Sequence, residues 1–309
     1  MALCALILAD RGKIDLSAPV AKYWPEFAAA GKDRIEVCQV LGYTSGMAGW
    51  TEPMTLEDLC DLEKSTTMLA RQAPWWEPGT ALGYHALSIG HLVSEIIRRV
   101  TGRTLGEFFA EEVAAPLGAD YHIGTGPECD DRVSLLIPAS PIPKPSGENT
   151  LTDRAYFNPA VTPFDSRTIA WRRAEVGAAN GHGNARSAAA VQSILACGGE
   201  VRGVRLLSEA GCERVFEEQA NTVDLILGVP LRWGIGYAIG SPLLEARVGP
   251  RVVGRRVAGW GGNGGSWVHI DMDARMTVAF VMNRWIDGLD LGRCFNIVNA
   301  AYDSLDIRS

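Results

Sequence analysis

Two stretches of this chain carry residues able to do acyl chemistry. The first is Pro78-Gly79-Thr80-Ala81-Leu82-Gly83-Tyr84-His85-Ala86. Its proline and glycines make a turn ahead of a helical stretch, which would lift Tyr84 to the rim of a cleft. A phenol at its ordinary pKa of about 10 is a poor base, but a neighbouring cation favours the phenolate. The alternative is a tyrosine that only closes a core. The second stretch is Gly259-Trp260-Gly261-Gly262-Asn263-Gly264-Gly265-Ser266, read as the opening of a strand. Its glycines let a substrate lie close against the backbone and offer N–H groups to an oxyanion; the plainer alternative is a hairpin loop. A third ingredient is absent. The five lysines are Lys13, Lys22, Lys32, Lys64 and Lys144, and the residues three places before them are Asp10, Pro19, Ala29, Asp61 and Pro141. The sequence therefore contains no Ser-x-x-Lys pair.

Other side chains could serve the same site. Ser45 is a candidate lining residue or alternative nucleophile, although no lysine or histidine follows it at a spacing that would activate it. His85 either tunes Tyr84 or sits exposed on the turn. Trp75 and Trp76 either form an apolar acyl wall or pack. His182, in Gly181-His182-Gly183-Asn184, is expected to line the cleft mouth rather than to act as a base. His91, His122 and His269 lack metal-ligand spacing, so neither a metal nor a cofactor is expected. The seven cysteines are scattered, with no Cys-x-x-Cys. They read as buried thiols, Cys4 among them, which fits a reducing, cytoplasmic compartment.

Composition limits the function classes. Apolar residues make up 47% and charged ones 21%, as in ordinary globular proteins. A net charge of −7 argues against nucleic acid, which needs a basic patch. Ala2 to Leu8 is apolar but too short to cross a bilayer, and it lacks the basic flank and cleavage site of a signal peptide. It reads as a buried helix stopped at Gly12.

The elements that must hold the chemistry follow from periodicity and punctuation. A short helix follows Ile35-Glu36-Val37 and ends by Tyr43-Thr44-Ser45-Gly46. Thr55 and Asp58 form a capping box opening a helix to about Gln72. An amphipathic helix runs from about Ala86 to Thr101, and Thr104 with Glu107 caps another to about Ala114. Residues 124 to 183 are rich in Pro, Gly, Asp and Ser, as in a segment that lines or covers a site. Helices are expected from Arg186 to Cys197 and from Ser208 through Gln219. Strands are expected at Arg232–Ile239, Trp267–Ile270 and Met276–Met282, the last two as an antiparallel hairpin across Asp271–Ala274. A helix from about Leu289 to Leu305 closes the chain. Helices, then strands, then a helix predict an α+β fold in a single domain of residues 1–309. Residues 40–200 would form a mostly helical lobe, and 1–39 with 201–309 a sheet lobe.

Taken in order and spacing, these motifs resemble the serine β-lactamase and penicillin-binding-protein superfamily, in its β-lactamase-like carboxylesterase (family VIII) branch. Ala5 to Leu16 and on to Phe27 resemble the segment after that family's nucleophile. Leu41-Gly42-Tyr43-Thr44-Ser45-Gly46-Met47 resembles its Leu-Ser-His-Thr-Ser-Gly-Leu loop, with Gly42 and Tyr43 departing. Pro78 to Tyr84 resembles the turn bearing its catalytic tyrosine, and Trp260-Gly261-Gly262 the esterase form of its Lys-Thr-Gly strand. The resemblance implies a β-lactamase/transpeptidase-like fold and hydrolysis of small esters through an acyl-enzyme. Tyr84 would be the general acid and base, Trp260, Gly261 and Gly262 would line the acyl site, and Asn263 N–H would face the oxyanion. The family's serine, lysine and two N-terminal strands have no match, and by its spacing they would fall just before Met1. A catalytically inactive, ligand-binding homologue is the alternative. Ala86 replaces the asparagine of the family's Tyr-x-Asn, and Trp260 replaces a carboxylate-pairing cation. Both changes disfavour β-lactam work and favour apolar esters.

Overall fold

The computed structural model describes residues 1–139, 142, 144–285 and 292–305. Helix α1 (Ala2–Asp10) is apolar on every face, and Ala2 through Leu8 are all buried. A helix without a polar stripe belongs at the centre of a core. It stops as its glycine implies: Gly12 takes φ +66°, and the N–H groups of Gly12 and Lys13 return to the carbonyls of Ala9 and Leu8. Asp10 then caps a distant helix by accepting the N–H of Ser208 at 2.8 Å. Gly211 lies so close to this carboxylate that an added Cβ would come within 2.5 Å of it.

Helix α2 (Val37–Leu41) opens on a Glu36/Gln39 capping box. The single helix expected from Thr55 to Gln72 is two helices, α3 (Leu56–Cys60) and α4 (Leu62–Arg71). The Thr55/Asp58 capping box forms, but Asp61 takes extended backbone at ψ 100° and its side chain caps α4 through Lys64 N–H. A residue that prefers capping to helix interiors thus breaks the run. Helix α5 (Ser88–Thr101) starts two residues later than predicted and ends at Gly102, φ +72°. Helix α6 (Leu105–Phe109) grows from the Thr104/Glu107 box and passes through one wide turn at 110–114 into α7 (Ala115–Leu117).

The glycine- and proline-rich middle is bracketed by β1 (Tyr121–Ile123) and β2 (Gly181–Gly183), paired antiparallel. Between them lie α8 (Leu151–Tyr156) and α9 (Ile169–Arg173). Helix α10 (Ala185–Ala196) and the small hairpin β3 (Glu200–Val201) and β4 (Val204–Arg205) follow. Helix α11 (Glu209–Glu213) is shorter than expected. One tighter turn ends at Phe216, and Gln219 N–H already bonds the carbonyl of Trp233, so sheet pairing overrides helix propensity there.

The main sheet has six strands, all antiparallel to their neighbours, in the order β10-β9-β8-β7-β6-β5. They are β5 (Ala220–Val223), β6 (Pro230–Trp233), β7 (Ala238–Ile239), β8 (Val257–Gly261), β9 (Trp267–Asp271) and β10 (Met276–Phe280). Helix α12 (Pro242–Val248) connects β7 towards β8, and α13 (Gly292–Ser304) packs back on the sheet. The strand expected over Arg232–Ile239 is a hairpin. Gly236 at φ +76° reverses the chain, and Gly234 N–H closes the turn on Tyr237 O. The Trp267/Met276 hairpin forms as predicted. Residues 289–291 of the expected last helix lie outside the described residues. The α+β class holds.

One core cluster joins α1, α2, α4, α5, α10 and the inner face of β6 to β9. A second, under α12 and α13, includes Trp267, Phe295 and Tyr302. Lys32 is fully buried and makes no ion pair among the described residues. Its ammonium instead donates to the carbonyls of Ala29 at 2.7 Å, Ala70 at 3.0 Å and Gln72, which finishes the C-terminus of α4. Burial pulls its pKa down to about 8. Lys32→Met should therefore strand these carbonyls and lower unfolding free energy by about 2–4 kcal/mol, measured by urea titration.

Candidate active site

Tyr84 is mounted from three sides. Gly83 N–H bonds Tyr43 O at 3.1 Å, Gly79 N–H bonds Thr44 O at 2.9 Å, and Leu225 N–H bonds Leu82 O at 2.9 Å. Any side chain at Gly83 would strike Trp76, because an added Cβ would fall 2.4 Å from its ring. Tyr43 holds the left-handed conformation, φ +60°, which is uncommon for a bulky residue. That backbone aims its ring to stack on Tyr84 at 5.2 Å and to meet Trp233 edge-on at 4.5 Å.

The other half of the site comes from β8. The indole N–H of Trp260 donates to the Tyr84 hydroxyl oxygen at 3.0 Å, across 176 positions of sequence. The two rings lie 5.3 Å apart, and Trp260 is braced edge-on by Trp233 at 4.6 Å. On its β8 side, β7 reaches only Ala258 and Gly259, while Trp260 and Gly261 pair with β9 alone. Beside Tyr84, then, the last two residues of β8 present a strand edge that β7 does not cover. Gly259 and Gly261 permit the close pairing to β9, since an added Cβ would lie 2.2 Å from Val268 O and 2.6 Å from the Trp267 ring.

The glycine run is therefore split, contrary to the expectation of one strand. Trp260 and Gly261 end β8, and Gly262 to Ser266 form the hairpin loop to β9. Gly262 N–H is bonded to Ser266 O at 2.8 Å, and Asn263 is exposed in that loop. The glycines with φ above +100°, Gly264 and Gly265, turn the loop over, so its backbone cannot continue as the edge that Trp260 begins.

Ser45 and His85 are brought together but away from solvent. Both are fully buried, and Ser45 Oγ lies 2.7 Å from His85 Nε2. His85 Nδ1 lies 2.6 Å from Gly83 O, so Nδ1 carries the proton and Nε2 accepts from the serine. The pair is a strut under the Tyr84 turn. Neither residue lines the site, and the reading of His85 as an exposed turn residue is corrected by its burial behind Trp76. Trp75 and Trp76 pack in one apolar cluster with Tyr84, Tyr156, Leu151 and Ile226. Arg154 stacks its guanidinium 4.1 Å above Trp75. His182 stands opposite His122 in the β1/β2 ribbon, near Arg172.

Four residues that the sequence did not single out complete the site: Tyr43, Tyr156, Trp233 and Asp224. Tyr156 ends α8 and stands 6.4 Å from Tyr84. Asn158 fixes that stretch by bonding Trp50 O at 2.8 Å, Glu52 O at 2.9 Å and Met54 N–H at 2.8 Å. The visible signal for Asp224 is a lone carboxylate inside Val223-Asp224-Leu225-Ile226-Leu227. Burial raises the Tyr84 pKa, the Trp260 N–H pulls it down, and the Asp224 charge raises it further. The resting group is thus a neutral phenol, not the phenolate that a nearby cation would favour. A cavity of about 20 Å³ beneath Trp260, bounded by Leu231, Leu244, Trp267 and Phe295, has room for about one water and is not the substrate site. Among the described residues, no group of His, Cys, Asp and Glu is arranged to hold a metal ion, and no helix is long and apolar enough to cross a membrane.

The chain and its fold have relatives among known proteins. Residues 1–296 match the Beta-lactamase family, and the chain belongs to it. It is 33% identical over 305 residues to the "Esterase/beta-lactamase LipL" of Mycobacterium tuberculosis (strain ATCC 25618 / H37Rv), over 91% of this chain and 66% of that protein. The chain thus spans slightly less than two thirds of that relative's length. Its fold superposes on a crystal structure of a family VIII carboxylesterase with a TM-score of 0.88 at 38% identity, covering 97% of this chain and 80% of the other. A penicillin-binding-protein homologue from Caulobacter crescentus gives 0.89 at 34% identity, covering 98% and 80%. The β-lactamase/transpeptidase-like fold and membership of an esterase- and β-lactamase-like hydrolase family follow.

The His85 strut carries a pH signature. Burial lowers its pKa to about 4, against about 6.5 in an unfolded chain. The native state refuses a proton that the unfolded state accepts, so this contribution to stability is full above pH 6.5 and is lost as pH falls through 4. His85→Gln should flatten the decline in melting temperature between pH 6.5 and 4 relative to the parent, while lowering stability at pH 7.

Proposed function

We propose that the Tyr84–Trp260–Gly261 site is the acyl site of a serine carboxylesterase-type hydrolase, working through an acyl-enzyme on small, uncharged esters. The carrying observation is the Trp260 N–H bond to the Tyr84 hydroxyl oxygen, which joins residues from the 40–200 and 201–309 stretches. We read these stretches as two lobes of one domain with the site between them. Tyr84 is the proton carrier, and as a resting phenol it is set to give its proton to a leaving alcohol. The uncovered edge at Trp260 and Gly261 is where the ester would lie. Trp75, Trp76, Tyr156 and Trp260 make its walls aromatic, which suits apolar acyl or alcohol groups. Trp260 offers a neutral N–H where a carboxylate-bearing substrate would need a cation.

The attacking serine and its lysine are not among these 309 residues. A second reading is a homologue that binds an ester-like ligand without cleaving it. Protein expressed with whatever residues its gene encodes before Met1 separates the two. A hydrolase takes up a fluorophosphonate label and turns over p-nitrophenyl esters, and Tyr84→Phe lowers kcat by about 10²–10⁴-fold. A label that persists in Ser45→Ala excludes that residue as the target. Turnover indifferent to Tyr84→Phe would sink the esterase assignment of this site. Absence of label and turnover, with an ester analogue still raising the melting temperature, supports the binding reading.

A further inference from the structure

We propose that Asp224 is a positioning residue for Tyr84, clamping the backbone of its turn and standing a negative charge behind its phenol. This rests on reading Tyr84 as the working group of the site. Asp224 leaves β5 and is 1% exposed. Its Oδ1 accepts the N–H groups of Ile226 and Leu227, both at 2.8 Å, and the backbone N–H of Tyr84 is near enough to favour the charged carboxylate. The surrounding turn is closed by Asp224 N–H on Val229 O at 3.0 Å and Gly228 N–H on Asp224 O at 2.9 Å. Leu225 N–H ties the same turn to Leu82, two residues before Tyr84.

The clamp explains the position but not the charge. An asparagine would cap the same turn without placing an anion in the interior. Among the described residues Asp224 takes part in no ion pair, burial raises its pKa, and an unpaired buried carboxylate is costly. Such uncompensated groups concentrate at working sites. The ionisable groups facing it are three phenols: Tyr84 on its turn, Tyr43 after α2 and Tyr156 at the end of α8. The Asp224 charge opposes ionisation of each. Its effect is to hold Tyr84 as a hydrogen-bond and proton donor whose lone pair is already engaged by Trp260. The phenolate becomes accessible only when a cation or a departing proton elsewhere offsets that charge.

The test places a difluorotyrosine at position 84, whose phenol titrates nearer neutrality, and follows it by fluorine NMR in the intact chain. In Asp224→Asn the resonance should titrate at lower pH than in the parent. In Trp260→Phe, which loses the indole N–H, it should move to higher pH. A purely structural Asp224 would leave the midpoint in place, and an unmoved midpoint in a variant with native circular dichroism overturns the proposal. Asp224→Ser, which keeps a capping oxygen without charge, gives the same reading if the asparagine variant misfolds. The shift is read without turnover. Failure of the esterase assignment would show as absent ester hydrolysis beside an intact shift.

Discussion

An indole N–H shared with a phenol oxygen, Trp260 to Tyr84 at 3.0 Å, is the contact around which this molecule is organised. It is a neutral hydrogen bond and contributes modestly by itself. Its weight comes from what must be right for it to form. β8 must end in register with β9 while β7 stops short, so that Trp260 leans out over the turn. Tyr43 must hold φ +60° to stack behind Tyr84. The buried Ser45–His85 strut and the Asp224 clamp must fix the turn from below and behind. The bond is therefore a readout of tertiary order across the chain.

The site also shows how a neutral environment changes a familiar acid–base group. With aromatic rings on most sides and a carboxylate behind, Tyr84 loses the solvation that a phenolate needs. Trp260 returns part of it through one N–H. These opposed influences set a donor. Among the described lysines, Lys32 is the buried one and is committed to backbone carbonyls at the end of α4. The cation that would turn Tyr84 into a base is thus not drawn from there.

The departures of these elements from local propensity share a cause. Asp61 broke a helix because its side chain capped the next one. Gly236 folded an apparent strand into a hairpin, and Gln219 left a helix because Trp233 offered it a sheet partner. In each case local propensity permitted both outcomes, and a partner distant in sequence chose. The choice left open for His85 was settled in the same way: beside a turn, its sequence neighbours do not show that it is fully buried next to Trp76.

By itself the sequence determined the α+β class, the capping boxes at Thr55 and Thr104, the glycine stops at Gly12 and Gly102, and the buried first helix. These rest on periodicity, on side chains bonding backbone three residues away, and on backbone angles open only to glycine, all local properties. Tertiary structure alone decided that Tyr43, Tyr156, Trp233 and Asp224 surround Tyr84 and that Ser45 and His85 lie beneath it. Burial, ring packing and charge proximity depend on which residues meet in space, and that is written only in the folded chain.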